Sequence, residues 1–99
     1  MNINKTVNQN SVKLTVEGRI SNNTSDEFQL ALLKALEETQ KVILDLAKLV
    51  YINSAGLRAL LIGMKKADEA SRSLVIRNVS REVLDLFEMT GFNEILIIE

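Results

Sequence analysis

The sequence predicts a single α/β domain: a central β-sheet that is mainly parallel, with an antiparallel strand at its N-terminus and helices packed on it. Three observations predict this class. Segments with strand periodicity alternate with segments of helical periodicity. One apolar run has the composition of a strand that is covered on both faces. No proline, low-complexity stretch or internal repeat marks a linker, so residues 1–99 are expected to form one domain.

The first half of the chain contains three predicted strands and one helix. Residues 3–7 form a short strand, which turns at residues 8–10 into SVKLTVEGRI, a segment whose alternation predicts a strand with one wetted side. NNTSDEFQLALLKALEE predicts a helix with Thr24 or Ser25 as its N-cap and an apolar stripe at helical spacing. KVILDLAKL follows as the strand covered on both faces.

The second half continues this alternation. In VYINSAGLRALL, residues 50–61, an apolar strand-like segment ends, Asn-Ser-Ala-Gly follows, and a leucine-periodic helix begins. SLVIRNV predicts a strand, and SREVLDLFEMTG predicts a helix capped by Ser80 and ended by Gly91. EILIIE is expected to close the chain as a final strand. The predicted order is strand, strand, helix, strand, helix, strand, helix, strand.

The composition excludes several classes of function. The chain has neither cysteine nor histidine, which removes disulfides, thiolate chemistry and imidazole catalysis. Its 12 basic and 13 acidic residues are interspersed, so there is no basic patch of the kind that binds nucleic acid. The polar N-terminus and the lack of a long apolar run predict a cytoplasmic domain with no signal peptide and no membrane contact.

No motif of an enzyme stands out in the sequence. A P-loop, a G-x-G-x-x-G fingerprint and a G-x-S-x-G elbow are all absent. Asp45, Glu17 and Glu27 are candidate acid–base groups, but their spacing does not pair them. A carboxylate that ends a buried strand, as Asp45 does, is expected to bind a loop or a cap. We therefore predict that the chain is not an enzyme and needs no cofactor or metal.

The junction of Asn53, Ser54, Ala55 and Gly56 is the most informative stretch. Ligands and partners of such sheets tend to bind beyond the carboxyl ends of the strands, and a helix N-terminus tolerates a phosphate well. Two interpretations stay open here. Ser54 caps the helix, or it is a regulatory serine whose phosphorylation adds about −1.5 to −2 charges. Gly56, which has no side chain, is expected to let a partner's backbone approach closely.

The segment VILDLAKLVYINSAGLRALL resembles the signature of the STAS domain of bacterial anti-sigma factor antagonists. That pattern is an apolar strand ending in Asp-Leu, a spacer, an apolar pair, then Asp-Ser-Ser/Thr/Ala-Gly-Leu and a leucine-rich helix. VEGRISNNTSDEF is similar to the early Gly-x-Leu/Ile-Asp…Thr segment of the family, and LVIRNVSREVLDLFEMTGFNEILII is similar to its closing strand–helix–strand. The resemblance covers nearly the whole chain and implies a STAS-like α/β fold.

The resemblance also implies a function. Small members of the family bind an anti-sigma factor that is also an ATP-dependent serine kinase, and thereby release a sigma factor. The kinase inactivates the antagonist by phosphorylating the serine of the motif, here Ser54, and a serine phosphatase restores it. The expected partner-binding residues are those around the motif and the early segment, namely Ser21, Asn22, Asn23, Thr24, Asn53, Ala55, Gly56, Leu57 and Arg58.

Three residues depart from the family pattern. Asn53 and Ser21 stand where the pattern has Asp, and Arg58 stands where many members have Gly. We expect the missing carboxylates to slow phosphorylation if they help to position the hydroxyl. Two interpretations of Arg58 stay open: it pairs with phosphoserine or with the kinase, or it is a solvated surface arginine. The alternative is a STAS scaffold that does not switch, or a module that binds a ligand or a partner in a signalling complex. A mixed-charge surface without a spare apolar stripe predicts a monomer when the protein is free.

Overall fold

The computed structural model describes residues 1–99 and has the predicted alternation of strands and helices. Its elements are β1 (Asn2–Val7), β2 (Ser11–Ile20), α1 (Ser25–Glu38), β3 (Lys41–Asp45), β4 (Leu49–Ile52), α2 (Ser54–Glu69), β5 (Ser73–Arg77), α3 (Arg81–Thr90) and α4 (Phe92–Ile95).

The long strand β2 organises the sheet. It pairs antiparallel with β1, parallel with β3 along its first half and parallel with β4 along its second half. The strand order is β1-β2-β3-β5, with β4 also on β2. The register of β2 shifts at Gly18, whose φ of +93° is accessible to glycine at little cost. The predicted mainly parallel sheet with an antiparallel N-terminal strand is therefore confirmed.

One continuous apolar core joins the sheet to the helices. The alternating residues of β2 enter it from the strand side, as predicted, and Phe28 and Phe87 are its two largest fully buried side chains. β3 is buried on both sides: Val42 and Leu44 belong to this core, and Ile43 is buried outside it. Alternate residues of a strand point to opposite faces, so the predicted double cover of this strand is confirmed.

The region between α1 and α2 has two strands where the sequence predicted one. The Asp45 carboxylate accepts a hydrogen bond from the Ala47 amide at 3.0 Å, and the Leu49 amide donates to the Leu46 carbonyl at 3.1 Å. These bonds form a tight turn that divides the apolar run into β3 and β4. They also confirm Asp45 as a loop partner.

The prediction of a final strand over residues 94–99 was wrong. Gly91, at φ +80°, ends α3 as predicted, but its carbonyl then accepts from the Glu94 amide and begins the short helix α4. This turn buries Leu96. What remains of the predicted strand is a single parallel bridge between Ile76 and Ile98.

Candidate functional site

The site lies where two loops meet at the carboxyl ends of β2 and β4. Ile20 and Ile52 are paired residues of these strands, and the Asn53 amide donates to the Ile20 carbonyl at 3.1 Å. This pairing places the start of α2 beside the loop that leads into α1. The sequence prediction that the Asn-Ser-Ala-Gly junction stands at the carboxyl end of a strand is therefore confirmed.

Asn53, and not Ser54, caps α2. The Asn53 Oδ1 atom accepts a hydrogen bond from the Gly56 amide at 3.2 Å, which satisfies one of the free amides at the helix N-terminus. Its Nδ2 atom donates to Asn22 Oδ1 at 3.1 Å. One side chain thus stabilises the helix and ties it to the neighbouring loop. The interpretation of Ser54 as the cap was wrong, because Ser54 is the first residue inside the helix.

The loop before α1 is closed by Thr24. Its Oγ1 atom accepts from the Ser21 amide at 2.9 Å and donates to the Arg19 carbonyl at 3.1 Å. Thr24 holds the N-cap position of α1, as predicted, but its side chain makes no capping bond. The hydroxyl stabilises the loop instead, while Asn23 is exposed at its tip.

An open groove between α1 and α2 brings together Ser54 and Arg58. Both side chains are exposed, and they lie one turn apart on α2. The groove is lined by Ser25, Asp26, Gln29, Ser54, Ala55, Arg58 and Ile62. Asp26 and Arg58 are its only charged lining residues. The resulting site is an exposed serine hydroxyl at a helix N-terminus, with one guanidinium and one carboxylate nearby.

Gly56 and Leu57 point away from this groove into the core. Both are buried, and a Cβ built on Gly56 would lie 2.6 Å from Ile52 Cγ1 and 2.7 Å from Ile20 Cγ2. The expectation that Gly56 makes room for a partner's backbone is therefore replaced by a different role: the missing side chain lets α2 pack closely on the sheet.

Two features near the site were not identified as functional from the sequence. Asp26 is an acidic residue in the first turn of α1, and the sequence does not tell that this face of α1 lies beside α2. The Arg19 guanidinium lies over the Tyr51 ring, 4.3 Å from its centroid, which is within the range of a cation–π contact. Arg19 and Tyr51 are register partners on β2 and β4, and only the pairing of those strands reveals the contact.

No group of three or more Asp, Glu, His or Cys residues is arranged to hold a metal ion. None of the helices combines the length and apolar character that crossing a bilayer requires.

Comparison with known proteins identifies the family. The profile of the STAS domain family matches residues 2–99. BtrV of Bordetella bronchiseptica is 30% identical over 78 residues, which cover 78% of this chain and 67% of that protein. The anti-sigma-B factor antagonist of Bacillus subtilis is 27% identical over 98 residues, which cover 97% of this chain and 90% of that protein.

Solved structures share the fold at low sequence identity. The protein tm1081 of Thermotoga maritima matches 97% of this chain and 84% of its own, with a TM-score of 0.88 and 15% identity. The anti-sigma factor antagonist SpoIIAA in its unphosphorylated form matches 99% of this chain and 87% of its own, with a TM-score of 0.75 and 13% identity. SpoIIAA has also been solved in a phosphorylated form, with a TM-score of 0.75 and 14% identity over 99% of this chain and 91% of its own.

Proposed function

Because the chain belongs to the STAS domain family, we propose that it is an anti-sigma factor antagonist whose binding activity is switched by phosphorylation of Ser54. In its unphosphorylated form it binds an anti-sigma factor with serine kinase activity and frees a sigma factor. Phosphorylation by that kinase ends the binding, and a serine phosphatase restores it. The use of ATP by the kinase places this exchange in the cytoplasm.

The observation that carries the proposal is the position of Ser54. Its side chain is exposed at the first residue of α2, while the next two turns of the helix bury Gly56, Leu57 and Leu60 in the core. A phosphate at this position adds about −1.5 to −2 charges at a helix N-terminus, where an anion is favoured by the helix dipole. The fold therefore tolerates the modification, whereas a partner packed on Ser54 meets a new dianion.

The partner-binding surface in this proposal consists of the exposed residues around Ser54. Asn22, Asn23 and Arg58 are exposed, and Ser21, Thr24, Asn53 and Ala55 are half-buried beside them. The Asn53–Asn22 hydrogen bond joins the two loops. Gly56 and Leu57 contribute by shaping the start of α2 from below.

The experiment that tests the switch uses the wild type and the variants Ser54→Ala and Ser54→Asp as parallel baits in a lysate of the source organism. We expect a kinase-like ATPase to be captured by the wild type and by S54A and lost from S54D. Ser71→Asp, a change at another exposed serine outside the site, is the matched control and should capture the partner. Urea denaturation of S54D should match the wild type, which separates lost binding from lost folding.

The proposed role of Arg58 can be tested by measuring the affinity of the same kinase for an Arg58 variant. It lies four residues after Ser54 on the same side of α2, so we propose that it pairs with the phosphate on Ser54 or with the kinase. Replacement by Ala should change the affinity of the kinase for the phosphorylated protein, whereas Lys65→Ala, two turns further from Ser54, should not. Equal affinities for the phosphorylated wild type and R58A would remove Arg58 from the switch.

Asn53 supplies a second test of the site. The family pattern has a carboxylate here, and this chain has an amide that caps α2 and binds Asn22. If the carboxylate positions the hydroxyl for the kinase, Asn53→Asp should raise the rate of phosphorylation of Ser54. An unchanged rate would show that the amide serves equally well.

A second candidate function is a STAS scaffold that does not switch. The amide of Asn53 and the hydroxyl of Ser21, at positions where the family pattern has carboxylates, favour this alternative. It predicts that the wild type, S54A and S54D capture the same proteins, in complexes indifferent to ATP.

A further inference from the structure

Opposite charges line the two helices beside Ser54. Asp26 of α1 and Arg58 of α2 line the groove beside Ser54. Past Ile62 the groove continues into a second depression, which is lined by Glu37 of α1 and by Lys65, Lys66 and Glu69 of α2, so Glu69 is the one carboxylate among the charges of α2. The N-terminal halves of both helices meet at one end of the groove and their C-terminal halves at the other, so α1 and α2 run in the same direction. None of these six side chains takes part in the ion pairs of the protein. Their charges are available to another molecule.

Apolar side chains lie between these charges. Leu33 and Ile62 are half-buried in the groove. Leu30 is 70% exposed, and it lies one turn after Asp26 on the outer side of α1. Leu30 therefore adds apolar surface beside the groove. We call Asp26, Leu30, Leu33, Glu37, Arg58, Ile62 and Lys65 the α1–α2 face.

We propose that the α1–α2 face is the interface of a twofold-symmetric homodimer, in place of the monomer predicted from the sequence. A twofold axis in the interface, parallel to the helices, lays α1 of one copy over α2 of the second copy. Asp26 then lies opposite Arg58 of the second copy, and Glu37 opposite Lys65 of the second copy. Because an isologous interface contains every contact twice, the face pairs four carboxylates with four cations around the apolar centre.

The charge pattern also favours this arrangement over a homodimer whose twofold axis is perpendicular to the helices. An axis perpendicular to the helices would lay α1 on α1 in reverse, with Asp26 opposite Glu37 of the second copy. It would equally lay Arg58 opposite Lys65. Like charges in contact disfavour that dimer, whereas the parallel axis leaves each carboxylate opposite a cation.

The size of the face predicts a weak dimer. The helices have 14 and 16 residues, so they extend about 21–24 Å, and packed helices lie about 8–10 Å apart. Such a face is smaller than the roughly 800 Å² per partner of a standard interface. A weak dimer that forms only at high protein concentration follows from this size, and salt should weaken it further by screening the charges.

The test is sedimentation velocity of the full chain in dilute buffer, from about 10 to 500 μM. The wild type should associate, and each of the single variants D26K and R58E should associate at least tenfold more weakly, since each places like charges opposite one another twice. The Asp26–Arg58 end is chosen because no other charged side chain lines it. E82K, the same change in the exposed first turn of α3, is the matched control and should associate like the wild type.

Mixing the two single variants decides whether the charges act between copies. A heterodimer of D26K with R58E has opposite charges at both symmetric contacts, so the equimolar mixture should associate about as well as the wild type. No pairing within one chain can be restored by mixing. A wild type that stays monomeric, or a mixture that stays as weak as its components, would overturn the proposal. Neither result depends on whether Ser54 is phosphorylated in the cell.

Discussion

Asn53 stabilises the start of α2 and binds the neighbouring loop with a single amide group. Replacement by Ala removes both the bond to the Gly56 amide and the bond to Asn22. Loss of an N-cap costs about 0.5–2 kcal/mol, so N53A should lower the free energy of unfolding, measured with urea, by about that amount.

Asn53→Asp is the matched control for that loss. A carboxylate keeps the capping oxygen and suits the helix dipole, and the Asn22 amide can turn over to donate to it. N53D should therefore stay within about 0.5 kcal/mol of the wild type. If N53D were as unstable as N53A, the bond from Nδ2 to Asn22 would be the larger contribution.

Replacement of Gly56 by Ala has two opposing effects on stability, and their sizes decide which one is larger. Ala is favoured over Gly in a helix by about 1 kcal/mol. However, the added Cβ would lie 2.6 Å from Ile52 and 2.7 Å from Ile20, both β-branched side chains with little rotamer freedom. Overpacking costs about 1–3 kcal/mol, so G56A should be destabilised overall in urea, while S54A on the exposed side of the same turn should not. A G56A variant more stable than the wild type would contradict this packing.

Among the elements, β1 and α1 are joined by one ion pair. Lys5 Nζ lies 2.6 Å from Glu38 Oε1, and this hydrogen bond holds the pKa of Glu38 below its ordinary value. A lowered carboxyl pKa contributes stability above the ordinary pKa of about 4.3 and loses it as pH falls through the lowered value. The pair is partly exposed, so its contribution is small.

Lys5→Gln should raise the pKa of Glu38 toward the ordinary value in an NMR titration. The stability difference between K5Q and the wild type should be largest near neutral pH and vanish in acid. Lys48→Gln is the matched control: it should raise the pKa of Glu17, which Lys48 lowers in the same way, and leave that of Glu38 unchanged. Equal titration of Glu38 in the wild type and K5Q would contradict the pairing.

Elements with a clear periodicity were predictable, and those fixed by one turn were not. The alternation in β2 and the leucine spacing of α2 follow from burial of one face. The division of β3 from β4 depends on the Asp45–Ala47 bond, and α4 depends on the turn at Gly91. Composition favours a strand in both places, because EILIIE and KVILDLAKL are apolar and β-branched. The choice of Asn53 over Ser54 as cap was equally local, since both residues are good caps.

At the scale of the whole molecule, the core and the proposed switch serine occupy opposite sides of one helix. Gly56, Leu57 and Leu60 of α2 are buried, while Ser54 and Arg58 are exposed. A charge added at Ser54 therefore changes what the surface can bind and leaves the packing of the sheet intact. The same surface includes the α1–α2 face, so binding of an anti-sigma factor at Ser54 would compete with self-association.

This overlap predicts that charge at Ser54 weakens the proposed homodimer. In the parallel arrangement the start of α2 lies opposite the start of α1 of the second copy, where Asp26 is the charged residue. Ser54→Asp introduces two like-charge contacts by symmetry. At about 0.5 kcal/mol each, they should weaken association about fivefold in sedimentation velocity at low salt. Ser54→Asn has nearly the same shape without the charge and should associate like the wild type. If S54D and S54N weakened association equally, side-chain size at Ser54, and not charge, would limit the contact. If S54D had the same dissociation constant as the wild type, Ser54 would lie outside the interface.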